Sequence, residues 1–129
     1  MAQLRDIMTT KILTTSAERP VAEVTGLMVK ARVGSAVVLQ GSWLAGILTE
    51  RDVLRAAASG SDLTTSPVSQ WMTKDPVTAT PDTTAEEAAH LMLRNGFRHL
   101  PVLEGRSLKG VVSIRDVLAS GIRRRPRPE

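Results

Sequence analysis

Shifted by 64 residues, the chain matches itself. Positions 8–56 align with 72–120 without a gap, and 15 of the 49 pairs are identical, against roughly 5–10% expected from composition. Met8-Thr9 meets Met72-Thr73, Leu27-Met28 meets Leu91-Met92, and Arg51-Asp52-Val53-Leu54 meets Arg115-Asp116-Val117-Leu118. A fold for this chain must therefore use the same unit twice. Two copies are too few for a solenoid; they point to two halves packed about a pseudo-twofold axis. The length, 129 residues, suits one domain. A half of roughly 55–60 residues would be marginal alone, so the halves are expected to bury apolar surface against each other.

Each copy reads as β-α-β-β-α, a mixed α/β class. A short apolar strand is expected at 12–14 and again at 77–79. An amphipathic helix follows, with Val21, Val24, Leu27, Met28 and Ala31 on one face, and Ala85, Ala88, Leu91 and Met92 on its counterpart. Thr84-x-x-Glu87 is a capping signal; the first copy has Pro20 instead, suited to a first helical turn. Two β runs with a Gly-containing turn come next, 36–39 with 44–48 and 100–103 with 108–112. A last helix starts at Glu50 or Ile114. The layout is a first repeat at 4–58, a polar linker at 59–67, a second repeat at 68–122 and a basic tail at 123–129, expected to be disordered.

Several chemistries are excluded. With no cysteine there is no disulfide, thiolate metal site or cysteine nucleophile. His90 and His99 are the two histidines, and neither stands at metal-ligand spacing, so no metal site is expected; His90 reads as a surface histidine. No G-x-S-x-G elbow or P-loop occurs, so no catalytic residue is assigned and the chain does not read as an enzyme. No apolar run approaches the ~20 residues of a membrane span, and no secretory signal is visible; a cytoplasmic protein is expected. The net charge of +4 is concentrated at the end, where the last seven residues carry four Arg and one Glu, net +3. With only Trp43, Trp71 and Phe97 as aromatics, nucleic-acid binding is disfavoured beyond a non-specific handle on the Arg-rich tail. Trp43, in a turn, reads as packing on its own lobe or as a partner contact; Trp71 reads as apolar packing between lobes.

The chemistry-bearing motif is Gly46-Ile47-Leu48-Thr49-Glu50-Arg51-Asp52, repeated as Gly110-Val111-Val112-Ser113-Ile114-Arg115-Asp116. A hydroxyl precedes an Asp by three residues at a strand-to-helix junction. As a capping pair, Thr49 or Ser113 caps the helix and the Asp reaches back. The same geometry suits a ligand: the helix N-terminus favours phosphate, the carboxylate can accept from a ribose diol, and Arg51 or Arg115 can face a phosphate. The residues alone leave both readings open.

The repeat, the Met-Thr lead-in, the Pro-Val-x-x-x-Pro-Asp-x-Thr run, the Leu-Pro-Val strand and the Gly-Val-Val-Ser-x-x-Asp end together resemble a tandem pair of cystathionine-β-synthase (CBS) domains over residues 4–122. The resemblance implies a two-lobed module with two clefts for adenosine-containing ligands (AMP, ADP, ATP with Mg, or S-adenosylmethionine), no required cofactor, and association into a homodimer. It implies ribose contacts at Thr49, Asp52, Ser113 and Asp116. For the Asp116 cleft it implies an adenine pocket completed by the opposite repeat, from Thr10, Lys11, Ile12, Leu13, Val33, Gly34 and Ser35. For the Asp52 cleft it implies Lys74, Asp75, Pro76, Val77, Phe97 and Arg98. Arg98 and His99 are the implied phosphate residues of the second copy, with Arg51 and Arg115. The first copy departs, with Gly34 and Ser35 at those positions and Val37 in place of Pro101; unequal sites are expected, the Asp116 cleft being the better equipped.

The expected function is a non-enzymatic regulatory module that binds an adenosine-containing ligand and modulates a protein partner whose identity the sequence does not give. The alternatives are a ligand-free interaction module, whose Thr-x-x-Asp and Ser-x-x-Asp motifs only cap helices, and nucleic-acid contact through the tail.

Overall fold

The computed structural model describes residues 2–124, with side chains through Gly121. In chain order the elements are α1 (Leu4–Ile7), β1 (Thr14–Thr15), α2 (Val21–Ala31), β2 (Ser35–Gln40), β3 (Trp43–Thr49), α3 (Glu50–Ala58), a 3-10 turn (Val68–Gln70), β4 (Thr73–Lys74), α4 (Ala85–Asn95), β5 (His99–Glu104), β6 (Ser107–Ser113) and α5 (Ile114–Arg124). Helix α5 runs through Arg124, so Arg123 and Arg124 are helical and not part of a disordered tail. The rest of the expected tail lies outside the described residues.

The chain forms two compact units: one is Lys11–Pro76, the other joins the residues up to Thr10 to those from Val77 onward. The spatial units are thus offset from the sequence repeats, because the lead-in that opens each copy, residues 4–10 and 68–74, folds with the other copy. In the Lys11–Pro76 unit, the strands run β1-β2-β3-β4, with β1 parallel to β2 and the other pairs antiparallel. The β4 strand, absent from the sequence reading, comes from the second lead-in and pairs Thr73 with Ile47. In the other unit the first lead-in does the same, Thr9 bridging Val111. The close approach is possible because Gly46 and Gly110 have no side chain. A Cβ at Gly46 would stand 2.7 Å from the Met72 sulfur and from the Thr73 carbonyl oxygen; at Gly110 it would stand 2.7 Å from the Met8 sulfur and 2.8 Å from the Thr9 oxygen.

The two hairpins keep one register. Ser35 faces Thr49 and Gln40 faces Trp43, with a bulge between Val38 and Leu39; His99 faces Ser113 and Glu104 faces Ser107, with a bulge between Val102 and Leu103. They differ at the neighbouring parallel strand. The Val37 N–H donates to the Leu13 carbonyl at 2.9 Å. Its counterpart is Pro101, which has no N–H to give. Contact there shrinks to a single bridge between Ala79 and Val102.

Each unit has its own core. One gathers Val21, Val24, Met28, Ala36, Val38, Leu48 and Val68; the other gathers Leu4, Ala79, Ala88, Met92, Leu100, Val102 and Val112. Val24 and Ala36 correspond to Ala88 and Leu100, so volume lost at one position is regained at another, a swap that cores tolerate. Trp71 packs against the core of its own unit. Trp71 closes the 3-10 turn that begins at the buried Val68 and docks the lead-in on this core.

Helix ends are closed by different means. Thr84 caps α4 through a reciprocal box with Glu87. At α2, Pro20 is the residue before the first helical one and offers no side-chain cap. The linker substitutes: Ser66 and Leu63 carbonyls accept the Val21 and Ala22 N–H groups, each at 2.9 Å, which satisfies donors that a helix start leaves open. The linker turn is fixed by Asp62. Hydrogen bonds from the Thr64 hydroxyl and N–H hold its carboxyl below its ordinary range.

Candidate functional site

In both units an antiparallel strand ends where a helix begins, so one residue finishes the ladder and caps the helix. In the Lys11–Pro76 unit that residue is Thr49. Its hydroxyl accepts from the Asp52 N–H at 3.4 Å, while Asp52 Oδ2 accepts from the Thr49 N–H at 2.8 Å and hydroxyl at 3.0 Å. Asp52 is buried, with 4% of its surface exposed. Its second oxygen, Oδ1, accepts from the Arg55 guanidinium at 3.2 Å. Arg55 in turn lies over the Trp71 ring, 5.9 Å from its centroid, within cation–π range.

In the other unit Ser113 takes the same place. The Asp116 N–H donates to its hydroxyl at 3.1 Å, and Asp116 Oδ2 accepts from the Ser113 N–H at 2.9 Å. Asp116 is half-buried. Among the described side chains no cation pairs with it, and its other oxygen accepts no hydrogen bond. Both acids stand in the first turn of a helix, where the exposed N–H groups and the dipole favour negative charge.

The hairpin register decides which of the expected lining residues share an end with each acid. Ser35 lies opposite Thr49, and the Gly34 carbonyl accepts from the Glu50 N–H at 3.1 Å. Val33 and Leu13 pack on the same core. Residues 11–13 and 33–35 thus belong to the unit that carries Asp52. Likewise His99 lies opposite Ser113, and the Arg98 carbonyl accepts from the Ile114 N–H at 2.9 Å. Phe97 packs on the core beside Ile114 and Val117. Phe97, Arg98 and His99 therefore lie in the unit that carries Asp116. In both units antiparallel pairing returns the start of the first hairpin strand to the end of the second. Lys74 pairs with Gly46 on β4, and the Asp75 N–H donates to the Ala45 carbonyl at 3.4 Å, so these two and Pro76 are in the Asp52 unit. Thr10 and Val77 are in the Asp116 unit, both exposed. Arg51 and Arg115 are exposed on the first turns of α3 and α5.

The CBS-domain family model matches residues 4–59 and 68–122. The chain belongs to the CBS-domain family. The CBS domain-containing protein YhcV of Bacillus subtilis is 36% identical over 118 residues, spanning 91% of this chain and 84% of that one. The hexameric CBS-CP12 protein of bloom-forming cyanobacteria superposes with a TM-score of 0.88 at 30% identity, over 98% of this chain and 76% of that one. The CBS domain pair of MJ0100, solved in complex with 5′-methylthioadenosine and S-adenosyl-L-methionine, gives a TM-score of 0.89 at 20% identity, over 97% of this chain and 99% of that one. The fold is therefore that of a CBS domain pair.

Within this CBS pair, sequence reasoning missed Arg55. Its signal was present: Asp and Arg three apart on a helix are neighbours, and the 64-residue shift sets Arg55 against Ala119 and Trp71 against Ile7. Both partners fall in the Lys11–Pro76 unit. Among the described residues no three His, Asp or Glu gather to hold a metal, and no helix is long and apolar enough to cross a membrane. His90 is exposed on α4.

Proposed function

We propose that this CBS pair is a non-enzymatic regulatory module of the cytoplasm, which binds an adenosine-containing ligand at the Ser113–Asp116 end, with a second site at Thr49–Asp52, and so alters how it meets a partner protein. The observation that carries the reading is the half-buried Asp116 carboxylate, held by its own cap and with acceptor positions left over at a helix start. A ribose diol is the matching donor, and Arg115, Arg98 and His99 supply positive or hydrogen-bonding groups around the same strand ends for phosphate or for a sulfonium ligand's carboxylate. Arg51 serves the corresponding role in the first copy. Phe97, Val33 and Leu13 supply apolar surface for adenine. That a protein of the same fold holds methylthioadenosine and S-adenosylmethionine supports the fold's capacity for such ligands.

Calorimetric titration with AMP, ADP, ATP and S-adenosylmethionine, with and without magnesium, tests this. Saturable binding by one of them is expected. Asp116→Ala removes charge-assisted hydrogen bonds and is expected to weaken it about 10–100-fold. No binding by the whole panel at ~1 mM would leave both motifs as helix caps only, the interaction-module reading, which the closed Thr49–Asp52 box favours.

The homodimer is part of the same proposal. Val29 and Leu93 occupy matching positions on α2 and α4, and Leu54 and Leu118 on α3 and α5; these are 74%, 76%, 71% and 61% exposed. A repeated apolar set of this kind suits a second copy of the chain. Trp43, 59% exposed in its turn, is a further candidate for partner contact. Sedimentation equilibrium is expected to give a dimer, and Leu54→Glu with Leu118→Glu a monomer. A monomer at every concentration of the unsubstituted chain would remove the dimer from the reading.

A further inference from the structure

The two acids differ in how much of their hydrogen-bonding capacity the protein already uses. A carboxylate offers about four lone-pair positions. Asp52 has three in use: the Thr49 N–H and hydroxyl on Oδ2, and Arg55 on Oδ1. Among the described residues Asp116 has one in use, the Ser113 N–H on Oδ2. A vicinal diol that donates both hydroxyls needs two. Asp116 has room for them; Asp52 lacks one unless Arg55 leaves.

Arg55 is fixed at both ends of its guanidinium's surroundings. It meets a carboxylate with 6% side-chain exposure on one side and the Trp71 ring on the other. The other unit has neither part of the device, since Ala119 and Ile7 stand at the corresponding positions. Arg55 itself keeps 61% of its side chain in solvent, so water can take it up when it is displaced, and its effect is a weakening and not a block.

We propose that Arg55 is an internal competitor for the first-copy site: it occupies Asp52 in place of a ligand diol, and makes the Ser113–Asp116 site the one that fills first. The inference rests on the ligand-binding reading above and assigns within it the residue that sets the order of filling. It concerns a group that carries no ligand itself.

The test isolates each site in the full chain, with AMP and S-adenosylmethionine as the titrants. In a chain carrying Asp116→Asn, only the Asp52 site remains and weak binding is expected. Adding Arg55→Gln, which keeps much of the stem over Trp71 and removes the charge, is expected to tighten that binding about fivefold to tenfold. In the reciprocal arm, Ala119→Arg together with Ile7→Trp in a chain carrying Asp52→Asn is expected to weaken binding at Asp116 by a similar factor. Circular dichroism melting verifies that each chain is folded; should the Arg55→Gln chain fail to fold, the Ala119→Arg arm decides alone. Unchanged affinity in the folded Arg55→Gln pair, or in the Ala119→Arg arm, overturns the inference while leaving the ligand reading intact. Failure of the unsubstituted chain to bind either titrant overturns the ligand reading, and the inference falls with it.

Discussion

The Lys11–Pro76 unit and its counterpart share a hairpin register, a bulge position and a glycine that admits a foreign lead-in, yet differ at nearly every place where a single side chain finishes the work. The first closes the start of α2 with linker carbonyls, the second closes α4 with Thr84 and Glu87. The first donates from Val37 to its parallel strand; the second has Pro101 and cannot. The first covers its buried acid with Arg55, the second leaves Asp116 half-open. What both copies keep is what the backbone needs in order to close. What they vary are side chains whose loss the backbone survives, and it is there that two sites of one origin can acquire different affinities.

The largest expected effect falls on what the copies share. A Cβ at Gly46 or Gly110 would meet a methionine sulfur, which can rotate away, and also a backbone carbonyl at 2.7 or 2.8 Å, which cannot move without its strand. Gly46→Ala and Gly110→Ala are each expected to cost about 2 kcal/mol, the range for forcing extra atoms into a packed region. Chemical denaturation of the two variants measures it. A loss in one and less than about 0.5 kcal/mol in the other would break the equivalence of the two clasps. Such a result would mean that the lead-ins are held by different forces despite identical Met-Thr sequences.

Those identical sequences also explain what could not be read from the chain. Met8 and Met72 are the same residue, as are Gly46 and Gly110. A lead-in that packs on its own copy and one that packs on the other therefore make the same contacts residue for residue, and a self-alignment cannot choose between them. The choice is made by chain length and direction, which pattern does not encode. The hairpins and the starts of α3 and α5 were legible because their determinants are local: apolar runs, a glycine turn, a hydroxyl and an acid three residues later. Strand β4 was not, since both its residues are exposed and a two-residue strand shows no alternation. The pairing of Ser35 with Thr49 follows from the hairpin register, which the glycine turn and the two apolar runs set locally. Arg55 was written in the sequence as a spacing, but its consequence depends on Trp71 beneath it, a contact between residues 16 positions apart.

A smaller effect sharpens the comparison at the ends of α2 and α4. Both helices finish on a left-handed residue, Arg32 with φ +58° and Gly96 with φ +71°. The conformation is demanded by the chain, because the next N–H groups, of Val33 and Phe97, each return at 3.1 Å to a carbonyl one turn back, Met28 and Met92. Glycine meets the demand without steric cost, whereas arginine brings a Cβ against its own carbonyl, worth roughly 1 kcal/mol. Glycine also loses more freedom on folding, which offsets part of the gain. Arg32→Gly is therefore expected to stabilise the chain by about 0.5 kcal/mol, and Gly96→Arg to destabilise it by about 1 kcal/mol. Paired melting curves provide the measurement, and the sign of Arg32→Gly is the informative result. If that variant is less stable, the arginine side chain must contribute more at this position than its backbone strain removes. The first copy would then be holding a second arginine for its side chain, at the helix end that leads into Val33, Gly34 and Ser35.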